Sequence, residues 1–149
     1  MKIFLSFAFE SFLFSFLGTP TDELWFVPSI NREGAHKLLK SCTDGTFLIR
    51  PASNGHYALT LVHKSIIYNC RIGRDPSQNY AFRFVASIGE KNGQSSTMTN
   101  GNSPIYCDRA FFSLKELVEF YMENSLAENN PELNTCLKTP IKSPANIKA

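Results

Sequence analysis

Arg50 ends the run Thr46-Phe47-Leu48-Ile49-Arg50, a β-branched and apolar segment stopped by Pro51 and therefore read as a strand. Side chains alternate along a strand, so Thr46, Leu48 and Arg50 share one face while Phe47 and Ile49 share the other. An arginine that continues a helix-covered face needs an anion, because its guanidinium keeps its proton and an unpaired buried charge is costly. Asn69 and Arg71 share one face of a later strand, with Tyr68, Cys70 and Ile72 on the other. Arg32 lies in the first turn of a helix, an end whose dipole favours anions over cations. Arg32, Arg50 and Arg71 are thus candidates to converge on one external anion; three arginines solvated or ion-paired singly is the competing reading.

The elements that must position these side chains follow from periodicity. Ala35, Leu38, Leu39 and Cys42 recur at helical spacing behind Asn31, an N-cap type, and Ile30 is placed to staple against Ala35. This predicts a first helix over 31–41. Strands are expected at 46–50, 57–62, 66–72 and 80–85, forming an antiparallel meander with a tight 51–55 loop. Ser113-Leu114-Lys115-Glu116 is a capping box, with Phe112 and Leu117 placed as its staple, and it opens a second helix with the stripe Leu114, Leu117, Val118 and Tyr121. The order helix, sheet, helix predicts an α+β fold with a central antiparallel β-sheet flanked by two α-helices.

The chain has 149 residues, enough for one domain and too few for two ordinary ones. Its formal charge is +2, which supplies no field suited to nucleic acid. Residues 1–20 form a hydrophobic leader: Lys2 precedes an apolar run from Ile3 to Leu17 that resembles a secretory h-region. Glu10 interrupts that run, and it is shorter than a bilayer-spanning helix, so no stable membrane insertion is expected. Cys42, Cys70, Cys107 and Cys136 are irregularly spaced and form no metal-ligand motif. Free thiols and a cytoplasmic location are the expectation, a secreted disulfide-bonded domain the alternative. Segment 87–103, rich in Gly, Asn, Ser and Thr, reads as a polar insertion, and 143–149 as a tail. No phosphatase-like Cys-x5-Arg, Gly-rich phosphate loop or nucleophile elbow is present, and His36, His56 and His63 sit in no catalytic motif. A non-enzymatic chain without metal or cofactor is expected.

WFVPSINREGAHKLL, DGTFLIRPAS, the second and third strands and SLKELVEFY together resemble a Src homology 2 (SH2) domain over residues 25–142. The most specific element is FLIR, similar to the family's FLVR strand, whose arginine takes the phosphotyrosine phosphate. The resemblance carries that role onto Arg50 and implies phosphate contacts from Arg32, Arg71, Ser53 and Asn69. Two positions depart from the family pattern. Ala52 stands where many members have a hydroxyl, and Asn69 where many have histidine. The implied ligand is chemically apt: phosphotyrosine carries roughly −1.5 to −2 charge and three acceptor oxygens, and an arginine at a pocket floor selects it over the shorter phosphoserine.

The resemblance also implies that the residues after phosphotyrosine are chosen on the opposite sheet face by Cys70, with Tyr68, Tyr121 and Leu126 lining the groove; Ile72 and Phe82 fit a plain core role better. YMENSLAENNPELNTCLKTPI resembles the domains of phosphoinositide 3-kinase regulatory subunits, which favour phosphotyrosine-x-x-Met, whereas ELVEFY and the late KSP resemble Vav exchange factors. The expectation is an adaptor or regulatory module recognising tyrosine-phosphorylated receptors or adaptor proteins in intracellular signal transduction, of the lipid-kinase regulatory type first and the Vav type second. Any lipid-kinase catalytic subunit would be held through segments not in this chain.

Overall fold

The computed structural model describes residues 23–88, 96–97, 99–100 and 103–141. The leader, most of the 87–103 insertion and the 143–149 tail lie outside the described residues. Helix α1 spans Arg32–Leu39. The central strands are β1 (Thr46–Pro51), β2 (Tyr57–His63), β3 (Ile66–Asp75) and β4 (Ala81–Phe84). Two short antiparallel pairs follow, β5 (Ser87–Ile88) with β6 (Ser96–Thr97), and β7 (Thr99–Asn100) with β8 (Ser103–Pro104). Helix α2 spans Leu114–Glu123, and β9 (Thr139–Pro140) closes the described chain.

The main sheet has the order β4-β3-β2-β1-β9. Its four central strands form the expected antiparallel meander, but β9 lies parallel to β1, with Thr46 opposite Thr139 and Phe47 opposite Pro140. Strand β1 therefore has neighbours on both sides, and backbone hydrogen bonds from Val27 to the Ile49 carbonyl and from Ile49 to the Trp25 carbonyl add the entering segment. This keeps the strand carrying Arg50 away from the sheet edge. Strand β3 runs three residues past its expected end at 72, because pairing with β4 continues to Asp75 opposite Ala81.

The β2–β3 turn uses two left-handed residues, Lys64 and Ser65, without glycine. The Asp44 carboxylate accepts from both of their amides, at 3.0 and 3.1 Å, which offsets the strain of positive φ. Gly45 is needed for a different reason. Its φ is +89°, and a Cβ there would lie 2.6 Å from the Lys138 side chain.

Each sheet face carries its own apolar cluster. On one, Val27, Ala35, Leu39, Leu48 and Val62 join α1 to the sheet; on the other, Phe47, Ile49, Leu59, Leu61 and Ile72 meet Leu114, Leu117, Val118 and Tyr121 of α2. Both helices begin as expected: Asn31 Oδ1 accepts from Gly34 N–H at 2.8 Å, and Ser113 Oγ from Glu116 N–H at 3.0 Å. The second staple does not form. Phe112 is 85% exposed, and its neighbour Phe111 is the buried aromatic, packing on Phe120 and Tyr121 with ring centroids 5.5 and 5.7 Å apart. The Glu116 carboxylate accepts from the Phe112 amide, which fixes the Phe112 backbone while its ring faces solvent.

Candidate functional site

Register places the expected side chains together. Arg50 stands opposite Ala58 and Leu48 opposite Thr60 on β2, while β2 in turn sets Ala58 against Arg71 and Thr60 against Asn69 on β3. Period-two alternation then brings Arg50, Ala58, Thr60, Asn69 and Arg71 to the face covered by α1. Small Ala58 lies between the two arginine positions and leaves room above the sheet.

Arg50 is only 7% exposed. Its Nε donates to Thr60 Oγ1 at 3.4 Å and its Nη2 to Asn69 Oδ1 at 3.2 Å. Thr60 Oγ1 donates to the same Asn69 oxygen at 2.9 Å. These two acceptors are neutral oxygens, which orient the guanidinium. An anion placed there gains charge-assisted, bidentate hydrogen bonds in surroundings of low polarisability. Asn69 Nδ2 faces His36 Nε2 on α1 at 2.9 Å. Four elements, α1, β1, β2 and β3, thus share one network.

The rim is built by the loop after β1. Ala52 N–H donates to the His56 carbonyl at 2.8 Å, and His56 N–H to the Ser53 carbonyl at 3.1 Å, while Asn54 and Gly55 take positive φ. Ser53 Oγ accepts from Arg71 Nη1 at 3.3 Å, which joins two expected phosphate contacts. Ala52 brings no hydroxyl. Burial, and after it the Arg71 charge, holds the His56 imidazole below its usual proton affinity, so it stays neutral at pH 7. Arg32 is half-buried in the first turn of α1.

Sequence reasoning missed His36 and Thr60. The available signal for His36 was its position one turn after Arg32, which puts both on one side of α1; for Thr60 it was the alternation of β2.

On the opposite face Cys70 is half-buried and Tyr68 is 8% exposed. Tyr121 and Leu126, expected in a peptide groove, are core residues in this structure, with 0% and 1% exposure. Tyr121 belongs to the buried stripe of α2, and its hydroxyl donates to Glu128 Oε1 and accepts from Asn129 Nδ2, both at 2.7 Å. Burial drives its phenol well above the ordinary value. Arg109 grips Glu128 through two hydrogen bonds of 2.7 and 3.1 Å. Ile72 and Phe82 are buried as well. All four cysteines are free and half-buried. Among the described residues no group of His, Cys, Asp and Glu could hold a metal, and no helix is long and apolar enough to cross a membrane.

The sheet between two helices, with a buried arginine on one face, defines an SH2-like fold. Residues 25–90 match the SH2 domain family. The chain is 32% identical over 132 residues to the human proto-oncogene vav, covering 85% of this chain and 13% of that protein. It is 28% identical over 129 residues to the Caenorhabditis elegans protein vav-1, covering 85% of this chain and 10% of that protein. The solution structure of the VAV1 SH2 domain complexed with a tyrosine-phosphorylated peptide from SLP76 superposes with a TM-score of 0.58 at 29% identity, covering 89% of this chain and 83% of that one. The chain carries an SH2 domain, a binding module rather than a catalyst, and spans about an eighth of the length of the human Vav relative, 13%. The relatives found include Vav proteins; the expected likeness to lipid-kinase regulatory subunits is not shown by these comparisons.

Proposed function

We propose that this chain binds tyrosine-phosphorylated peptides, with Arg50 taking the phosphate and Arg32, Arg71, Ser53 and Asn69 completing the pocket. The observation that carries the reading is the Arg50 guanidinium, 7% exposed on the face covered by α1 and oriented by its hydrogen bonds to Thr60 on β2 and Asn69 on β3. Phosphate at that depth receives two parallel N–H donors, and the Ser53 hydroxyl with the 53–55 loop amides takes the place of the hydroxyl that Ala52 lacks. Cys70 and Tyr68 on the opposite face are the residues that would read the positions after phosphotyrosine, without Tyr121 and Leu126.

The similarity to Vav proteins supports a Vav-like cytoplasmic signalling protein as the parent, with tyrosine-phosphorylated receptors or adaptors as its partners. The lipid-kinase reading, with its phosphotyrosine-x-x-Met preference, rests only on the SLA-x-x-NP run, Ser125 to Pro131. Fluorescence polarisation of the full chain with a degenerate phosphotyrosine peptide library, its unphosphorylated form and its phosphoserine form tests the proposal. Binding that requires both phosphotyrosine and Arg50 is the expected result. A folded protein that binds none of the three, or binds them alike, overturns it.

A further inference from the structure

His36 holds a place in the network that its chemistry makes specific. Asn69 receives donors from Arg50 Nη2 and Thr60 Oγ1 on one side, and only Oδ1 can accept them. The amide nitrogen must then face His36, 2.9 Å from its Nε2. Because Nδ2 is a donor, Nε2 must accept, which puts the proton of the neutral imidazole on Nδ1. The tautomer of His36 and the orientation of Asn69 determine each other.

Taking the phosphate reading of this pocket as given, we propose that His36 is a positioning residue for phosphate binding. By accepting from Asn69 it fixes the amide with Oδ1 toward Arg50 and Thr60, and so holds the guanidinium in place. A proton added at Nε2 sets donor against donor. Asn69 then turns its amide over, and Arg50 and Thr60 meet an N–H instead of an oxygen. Among the described residues, the charged side chains placed on this face are Arg32 on the same helix, Arg50 on β1 and Arg71 on β3. Strand β2 contributes only Ala58 and Thr60, and His56 lies at the end of the rim loop. Glu33 and Lys37 pair with each other on the exposed side of α1, at 3.5 Å.

The test titrates the full chain with phenyl phosphate, which carries the phosphotyrosine head without any peptide preference, and follows the imidazole nitrogens by 15N NMR. At pH 7.5 the His36 ring should be the Nδ1–H tautomer. His36→Ala should lose about three- to tenfold in affinity, the scale of one neutral hydrogen bond, while His36→Gln, which can still accept from Asn69, should match the wild type. Between pH 7.5 and 5.5, the ordinary imidazole range, wild-type affinity should fall about three- to tenfold relative to His36→Gln. The second ionisation of the phosphate is common to both proteins and cancels in that ratio. An Nε2–H tautomer, superimposable pH profiles, or a wild type that gains on His36→Gln in acid each overturns the positioning role. The last of these would make His36 a cationic phosphate ligand. Failure of the wild type to bind phenyl phosphate would instead defeat the phosphate reading on which the inference rests.

Discussion

Arg83 Nη1 and Asp75 Oδ2 lie 2.6 Å apart, both buried, at the end of the β3–β4 pairing. The same guanidinium donates from Nε to the Cys107 carbonyl at 2.7 Å, and it stacks over the Tyr106 ring with 5.6 Å to the centroid. This pair ties the outer strand to the segment that returns to α2. It therefore anchors the excursion between β4 and α2 from both of its ends. Removing one partner strands a buried charge, so Arg83→Met should cost about 3–5 kcal/mol of stability, read as a lowered urea midpoint with an unchanged slope. A midpoint within experimental error of the wild type would show that the pair is not a net contributor.

Asp75 also gives the domain an acid limb. The Ser77 hydroxyl, at 2.7 Å, is the first cause holding its carboxyl below the ordinary value, followed by the Ser77 amide and Arg83, with burial opposing them. A depressed folded value means that the unfolded chain binds the proton more readily. The stabilisation is full above the unfolded carboxyl range, about pH 4, and is lost as pH falls through the folded value. Asp75→Asn should be less stable at neutral pH and lose less between pH 5 and pH 2, measured by urea unfolding at each pH. An acid limb as steep as that of the wild type would place the responsible carboxylate elsewhere.

Arg50→Ala should remove about 2–5 kcal/mol of phosphopeptide affinity, the cost of truncating one partner of a desolvated charge pair. Arg71→Ala should cost less, because Arg71 is half-buried and meets the rim loop through a single 3.3 Å contact to Ser53. Isothermal titration with the same phosphotyrosine peptide measures both. Equal losses would mean that the phosphate sits at the rim and not over the floor between β1 and β3.

Much of this site was legible in the sequence because strands repeat every two residues. Once Arg50, Asn69 and Arg71 lie on strands, alternation alone assigns them a face, and Thr46 to Pro51 is apolar and β-branched enough to leave no other reading of that segment. What the period cannot supply is which helix side chain arrives over that face, and so His36 was seen as an unremarkable histidine. The parallel pairing of β9 was equally hidden, since a two-residue strand has no pattern of its own and depends on Gly45 and Lys138 for its place. Tyr121 illustrates the converse limit. Its helical spacing marks a buried stripe, and the resemblance that assigned it to a groove competed with that simpler physical assignment, which the structure follows.

Tyr121→Phe follows from that burial. The substitution keeps the ring but removes the hydroxyl that serves Glu128 and Asn129, leaving those polar groups short of a partner at about 1–3 kcal/mol. Thermal unfolding should show a lower Tm, while affinity for phenyl phosphate stays unchanged, because α2 packs on the sheet face opposite Arg50. A phosphate affinity that falls along with Tm would show that the two faces are coupled through the sheet.

Cys70 tests the other half of the proposed binding surface. It stands opposite Leu59 on β2 and packs half-buried against the larger core cluster, with its neighbours Asn69 and Arg71 directed to the face covered by α1. A tyrosine at this position exceeds the space of a thiol, so its ring must extend outward over the sheet, at about 1–3 kcal/mol where the core resists. There it would cover the apolar surface on which residues after phosphotyrosine would rest and would add a hydroxyl. Cys70→Tyr should therefore shift the ranking on a phosphotyrosine peptide array away from apolar residues after phosphotyrosine, with phenyl phosphate affinity preserved. An unchanged ranking in a folded variant would remove Cys70 from the specificity surface and leave the phosphate pocket as the whole of the recognition site.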